Sequence, residues 1–368
     1  MKRIRVLHLV VAGDIGGAER LLVDLASRPD ESGADHEVAL ITPNRDLFAY
    51  FSAAGLTVHD RGPARENPLS YLLRSLGNAD VNWLSELVRQ QRIDALHTHT
   101  FASHVLGTRA ARRSKVTQIR TEHHVMHYFD ASTSAFTRWA ANRTDRLVAV
   151  SQYVQGVITK AMPSLTPRMT VVRNGVDTKY WAPRDPPKTA SKEERALRVA
   201  VICRLTAWKR VDLAIEAAAR ANVDLWIIGD GEDRQKLEAL AARVGCRATF
   251  HGFQKDPRSL IADCEAMLST AKEEPLGLSV LESLSMARPI IACATGGIPE
   301  IVQNEISGFL AQIDSIDEIT KLLVRARDNR KNLWKMGVAG HRFALRECSI
   351  EKMCDGYAKV YESTARTR

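Results

Sequence analysis

The sequence predicts an α/β protein built from two Rossmann-like, doubly wound units. Three observations predict it. The chain has 368 residues, against the roughly 100–200 that one domain usually holds. Short β-branched runs alternate with longer stretches of 3.6-residue periodicity, the pattern of parallel strands joined by helical crossovers. A break in composition after Asn174-Gly175 separates two such series.

In the first series, strands are expected over residues 4–10, 37–41, 95–98, 116–120, 147–150 and 169–172. The clearest helix is 68–92, where Leu69, Leu72, Leu73 and Leu76, then Leu84, Leu87 and Val88, recur at three and four residues. Residues 181–195, with Pro183, Pro186, Pro187 and a run of charge, read as a linker, and 183–187 as a hinge for closure. The second series has expected strands at 197–203, 225–228, 248–251, 266–269 and 289–292, and helices near 211–220, 232–244 and 277–287. Residues 315–362 read as helical throughout. The domains are therefore drawn at 1–182 and 183–346, with 347–368 as a helix packing back on the first.

Composition excludes several classes. Charged residues at 26% and hydrophobic residues at 45% are those of a globular chain rather than a disordered one. The longest apolar runs, such as 6–11 broken by His8, fall far short of the roughly 20 residues a spanning helix needs. Met-Lys-Arg-Ile-Arg at the start looks like a signal peptide, but the run after it is short and leads into Gly13, Gly16 and Gly17; a first buried strand is expected instead. Cys203, Cys246, Cys264, Cys293, Cys348 and Cys354 show neither C-x-x-C nor zinc spacing, so free thiols in a reducing cytoplasm are expected. Net charge is +9, and residues 1–182 hold 23 Lys+Arg against 17 Asp+Glu. Arg109, Arg112, Arg113 and Lys115 suit an anionic headgroup, a phosphorylated acceptor or a plain solvated helix end. No zinc-finger or ribonucleoprotein motif supports a nucleic-acid partner.

Glycine-rich turns after strands place backbone N–H groups at a helix N-terminus, where they can cradle an anion. The first, around Gly16 and Gly17, lacks the G-x-G-x-x-G spacing of dinucleotide binders; it reads as an anion cradle or as a tight turn needing positive φ. Arg204 and Lys209 leave the first strand of the second series and suit a diphosphate, or else a solvated turn. The strongest local signal runs from Glu273 to Glu282. Pro275 keeps Glu274 extended, Gly277 opens a helix with Leu278, Leu281 and Leu284 inward, and Ser279 and Glu282 share its other face.

These features together resemble the family 4 retaining glycosyltransferases of the GT-B fold, over nearly the whole chain. The matching pieces are Gly16-Gly17-Ala18-Glu19-Arg20, His97-Thr98-His99, Thr121-Glu122-His123, Val150-Ser151, Asn174-Gly175-Val176-Asp177, Arg204 with Lys209, Gly229-Asp230-Gly231 with Leu237-Glu238, His251-Gly252, and the E-x7-E of Glu274 and Glu282. The resemblance implies two Rossmann-like domains facing across a cleft. It also implies that Arg204 and Lys209 bind the donor diphosphate with the amides of Gly277 and Leu278, that Glu282 takes the ribose, and that Glu274 takes hydroxyls of the transferred sugar. Gly16 and Gly17 would line the acceptor side, and His123 would approach the donor sugar, with His124 the neighbour to which that role could slip. Two departures stand out: Pro275-Leu276 where many relatives have Gly-Phe, and Arg173 where Pro is common. The first bears on donor choice.

The implied activity is metal-independent, retaining transfer from a nucleotide sugar, a UDP-sugar by family frequency, to a hydroxyl acceptor in glycan, polysaccharide or glycolipid biosynthesis. No cofactor is expected. No two aspartates are separated by one residue, so the D-x-D metal element of the other main transferase fold is missing. A histidine metal cluster competes for His8, His97, His99, His104, His123, His124 and His127, without an H-E-x-x-H motif behind it. Paired carboxylates also suggest a glycoside hydrolase, though a glutamate turned toward ribose does not reach an anomeric carbon. A nucleotide-sugar 2-epimerase of the same fold and a non-catalytic sugar-nucleotide binder are the remaining alternatives. A lipid-linked acceptor, with peripheral contact to the inner face of an anionic membrane, would use the basic first half.

Overall fold

The computed structural model describes residues 3–365 apart from 12, 14, 43, 63–73, 75 and 184–195. The chain divides into two compact units, Met1–Gly175 with Ile350–Arg368, and Val176–Ser349. The division falls ahead of residue 182 because Val176 and Trp181 are buried in the core of the second unit, and Cys348 joins them there. Leu69, Leu72 and Leu73 of the expected 68–92 helix lie outside the described residues, as does most of the expected linker and hinge.

The described strands of the first unit are β1 (Ile4–Val11), β2 (Ala34–Ile41), β3 (Thr57–Asp60), β4 (Ala95–Thr98), β5 (Thr117–Glu122), β6 (Arg146–Ala149) and β7 (Met169–Val171). They form one parallel sheet in the order β3-β2-β1-β4-β5-β6-β7. Because successive side chains alternate between faces, Leu7, Leu9 and Leu96 pack on one side against Val81, Leu84 and Leu106 from the helices Ala79–Gln90 and Phe101–Ser114. On the other side Val10, Val38 and Leu40 meet Leu22, Ala26 and Phe51. His8, His36 and His97 fall on that second face, where an aliphatic layer would be the ordinary choice. Above it, Tyr357 and Tyr361 of the helix Ile350–Ala365 are each 1% exposed.

The second unit has β8 (Arg198–Ile202), β9 (Asp224–Ile228), β10 (Ala248–Gly252), β11 (Ala266–Ser269), β12 (Ile290–Cys293) and β13 (Gly308–Ala311). These are also parallel, in the order β10-β9-β8-β11-β12-β13. Helices Val211–Ala221, Arg234–Val244 and Ile316–Asp328 cover one face. Leu278–Ser285, Ile298–Ile301 and Arg330–Glu347 supply the core on the other.

Strands β3 and β13 are additions to the sequence reading. The 315–362 segment is three helices rather than one, interrupted at Asn329 and again at Cys348-Ser349, where Val176 N donates to the Cys348 carbonyl at 2.9 Å. Among the described residues no helix is long and apolar enough to cross a membrane.

Candidate active site

In each sheet the strand order reverses beside the unit's first strand, between β1 and β4 and between β8 and β11. Ligands of open α/β sheets bind outside the carboxyl ends of strands at such points. In the second unit, β8 runs out into Arg204 and the turn Ala207–Lys209, while β11 runs out into residues 270–277. These two loops are laced together. Thr270 Oγ1 donates to the carbonyls of Lys209 and Arg210 at 3.1 and 2.8 Å, and Lys272 N donates to the Trp208 carbonyl at 2.9 Å. The result brings Lys209 Nζ to 2.5 Å from Glu274 Oε2.

Gly277 then opens the helix Leu278–Ser285 from a left-handed conformation, φ +93°, a position that favours glycine. A Cβ there would lie 3.2 Å from Glu274 Cγ, so Glu274 and the helix start are in direct contact. The first amides of that helix have no acceptor within it. Glu282 is on the same helix but 4% exposed, not on an open flank, and Leu278 is half-buried while Val280, Leu281 and Leu284 fill the core. The apolar face is thus displaced from the expected Leu278-Leu281-Leu284 row. Arg204 is exposed, with Leu205 beside it fully buried as an anchor.

Backbone contacts that sequence reasoning did not assign hold these loops. Gly231 lies against Leu205, whose carbonyl oxygen a Cβ would approach to 2.3 Å, and Leu205 N donates to the Asp230 carbonyl at 2.9 Å. From the end of β12, Gly297 N donates to the Glu274 carbonyl at 2.9 Å and Thr295 Oγ1 to the Lys272 carbonyl at 2.7 Å. The Gly296-Gly297 pair after a strand was the available signal; it repeats the pattern of Gly16-Gly17.

In the first unit, Gly16 is extended at φ −114°, so the tight turn needing positive φ is not what glycine serves here. Its amide donates to Glu19 Oε2 at 2.9 Å, closing the N-terminus of the helix Gly17–Ala26. His123 follows β5 and is half-buried, with Nε2 3.4 Å from His99 Nδ1. Burial, then His124, lowers its pKa to about 4 against the opposing pull of Glu122. His124 turns away, its Nδ1 3.3 Å from that of His127. His127 Nε2 in turn lies 3.1 Å from Glu122 Oε2, and Arg120 pairs with Glu122 at 2.5 Å. Burial alone would raise the Glu122 pKa; Arg120 and the His127 hydrogen bond outweigh it and hold it well below 4.5.

Among the described residues, ligand-type atoms approach within 4.8 Å in two trios, His8/His97/His99 and His104/Glu122/His127. In the first, His8 and His99 are bonded to each other, and the nitrogens of His97 meet Tyr361 Oη at 3.1 Å and Thr121 Oγ1 at 2.8 Å. In the second, Arg120 already neutralises the carboxylate. The first trio is a hydrogen-bonded network; in the second, His127 and Glu122 are hydrogen-bonded, while neither ring nitrogen of buried His104 has a partner among the described residues. Arg112, Arg113 and Lys115 are exposed at the start of β5, the end of that strand opposite His123, and Arg109 donates to Gly77 O and Asn78 Oδ1 at 2.7 and 2.8 Å.

Two family models match in succession: Glycosyltransferase Family 4 over residues 15–180 and Glycosyl transferases group 1 over residues 183–342. The chain is 25% identical to alpha-maltose-1-phosphate synthase of Mycolicibacterium smegmatis, covering 78% of this chain and 83% of that one. It is 22% identical to N-acetyl-alpha-D-glucosaminyl L-malate synthase of Bacillus anthracis, covering 96% and 95%. The crystal structure of Anabaena Alr3699/HepE with UDP and glucose matches with a TM-score of 0.84 at 21% identity, covering 98% of this chain and all of that one. With both halves matched in order and the two parallel sheets of the GT-B fold in place, the chain belongs to the family 4 glycosyltransferases.

Proposed function

We propose that this glycosyltransferase moves a sugar from a nucleotide-sugar donor, a UDP-sugar, to a hydroxyl acceptor, with retention at the anomeric carbon and without a metal ion, in glycan, polysaccharide or glycolipid biosynthesis. The observation that carries the reading is the Lys209–Glu274 pair at the switch point between β8 and β11, set against the helix that Gly277 opens. Without donor, cation and carboxylate neutralise one another. A donor separates them: Lys209 and Arg204 take the diphosphate with the amides of Gly277 and Leu278, and Glu274 accepts from hydroxyls of the sugar. Glu282 takes the ribose. In the first unit, His123 is assigned to the donor sugar and Gly16 and Gly17 to the acceptor.

Such fixed charges and backbone dipoles stabilise the departing nucleoside diphosphate without reorganisation. The acceptor oxygen forms the new bond to the anomeric carbon as the bond to the phosphate oxygen breaks, and the hydroxyl proton passes to that departing phosphate oxygen. UDP as the nucleotide is supported by the UDP and glucose named for the Anabaena structure. The basic cluster Arg112, Arg113 and Lys115 stands at the start of β5, the end of that strand away from His123, so this cluster lends no support to a lipid-linked acceptor.

The test is a thermal-shift screen of nucleoside diphosphates and nucleotide sugars, because a ligand bound by the native state alone raises apparent stability. It is followed by product analysis with sugar acceptors. Stabilisation by UDP and a UDP-sugar, and an α-linked product from an α-linked donor, is expected. Conversion of donor to an epimer with no acceptor present would instead identify an isomerase.

A further inference from the structure

Four imidazoles form a single hydrogen-bonded line across one face of the first sheet. His123 Nε2 lies 3.4 Å from His99 Nδ1, and His99 Nε2 lies 2.9 Å from His8 Nδ1. His8 Nε2 is 2.8 Å from His36 Nδ1, and His36 Nε2 is 2.8 Å from Ser32 Oγ. At every ring the line enters by one nitrogen and leaves by the other. The register explains the alignment: β1 and β4 place His8 beside His97, and residues two apart share a face, so His97 brings His99 with it. His97 stands beside the line, its ring centroid 4.2 Å from that of His99, with its own nitrogens spent on Thr121 and Tyr361.

A neutral imidazole carries one N–H and one lone pair. The direction of any one link therefore dictates all the others. Burial first, and the neighbouring rings after it, keep His8 and His99 well below 6.5, so the line is uncharged. Its direction is decided at the far end. Ser32 is fully buried, and among the described residues His36 Nε2 is the partner of its hydroxyl. A buried hydroxyl proton without an acceptor is costly, so Ser32 Oγ donates to His36 Nε2. Each ring must then donate onward from Nδ1.

We propose that Ser32, His36, His8 and His99 are positioning residues that lock His123 as the Nδ1–H tautomer, so that it meets the substrate sugar as a neutral hydrogen-bond donor. The lock itself rests on geometry within the first unit. Its catalytic consequence rests on the assignment of His123 to the donor sugar.

Long-range 1H–15N imidazole spectra of the full chain read the tautomer directly, with the His123 signals assigned by their loss in His123→Gln. The expected wild-type result is Nδ1–H at His123; Nε2–H there overturns the lock, and the tautomer itself is read in the wild-type protein, His123→Gln serving only to assign the signal. Cutting the line with His8→Phe should release His123 into a tautomer mixture and lower kcat severalfold, up to about tenfold, the range of one hydrogen bond between neutral groups, with donor KM unchanged. A His123 tautomer that ignores His8→Phe also overturns the lock. A released tautomer with unaltered kcat leaves the lock standing and overturns the placement of His123 at the sugar, so the two failures are distinguishable.

Discussion

A Cβ on Gly296 would stand 2.0 Å from the carbonyl oxygen of Glu274, so the loop after β12 touches the loop after β11 backbone to backbone. Gly296 is also left-handed at φ +57°. Gly296→Ala therefore adds a side chain where none fits, on a backbone that disfavours one by about 1–2 kcal/mol before any clash. The relief is movement of Glu274. Donor affinity should fall at least tenfold, roughly one charge-assisted hydrogen bond, with a lower melting temperature. Calorimetric titration with UDP-sugar checks it; unchanged affinity would separate Gly296 from the donor site.

Lys209 and Glu274 keep 28% and 16% of their side-chain surface exposed. A pair so placed adds no more than about 1 kcal/mol to folding. Its value lies in binding. Lys209→Ala should leave the melting temperature nearly unchanged while raising the donor Kd by about tenfold or more, since a hydrogen bond to a charged group is worth about 1.5–3 kcal/mol. Glu274→Ala should chiefly lower kcat. Wild-type turnover in both variants would remove the site assignment.

What was legible in the sequence follows a physical division. Buried parallel strands are short runs set between stretches of helical periodicity, so β4 and β11 are read to the residue although they hold one β-branched side chain between them, and the charge and glycine motif that follows β11 is found with it. An edge strand pairs on one side only, and β3, Thr57–Asp60, is largely half-exposed and carries no strong apolar run. Helix Leu278–Ser285 has apolar residues around much of its circumference, so periodicity could not tell that Val280 rather than Leu278 faces the core, or that Glu282 is covered. Asn329 interrupts two helices without a proline or glycine to announce it. The histidine line was visible only as a crowd of residues, because its order depends on which strands lie side by side.

Metal dependence gives a direct test of how the diphosphate is held. If Arg204, Lys209 and the amides at Gly277 and Leu278 supply the counter-charge, transfer should be insensitive to a strong chelator. Added manganese should give no more than a small change. Initial rates measured with donor before and after exhaustive chelation check this; lost activity that manganese restores would overturn the cationic clamp and point to an ion between protein and pyrophosphate.

The buried imidazoles set an acid limit on stability. His36 and His123 are lowered from 6.5 to about 4, chiefly by burial, and His8, His97, His99 and His104 are lowered well below 6.5 for the same leading reason. Between about 4 and 6.5 these groups are protonated in the unfolded chain but neutral in the native one. The unfolded state then binds more protons, so stability rises with pH through this window and is lost as pH falls below 6.5. His36 alone withdraws on the order of 3 kcal/mol by the time pH reaches about 4. Glu122 acts lower, because its stabilising ionisation is lost only well below 4.5. Melting temperature at constant ionic strength should therefore drop steeply from about pH 6.5 to 5, with proton uptake on unfolding measurable by calorimetry in buffers of different ionisation heat. A melting temperature constant across that interval would mean that the native rings titrate normally and that the layer beneath Tyr357 and Tyr361 is open to water.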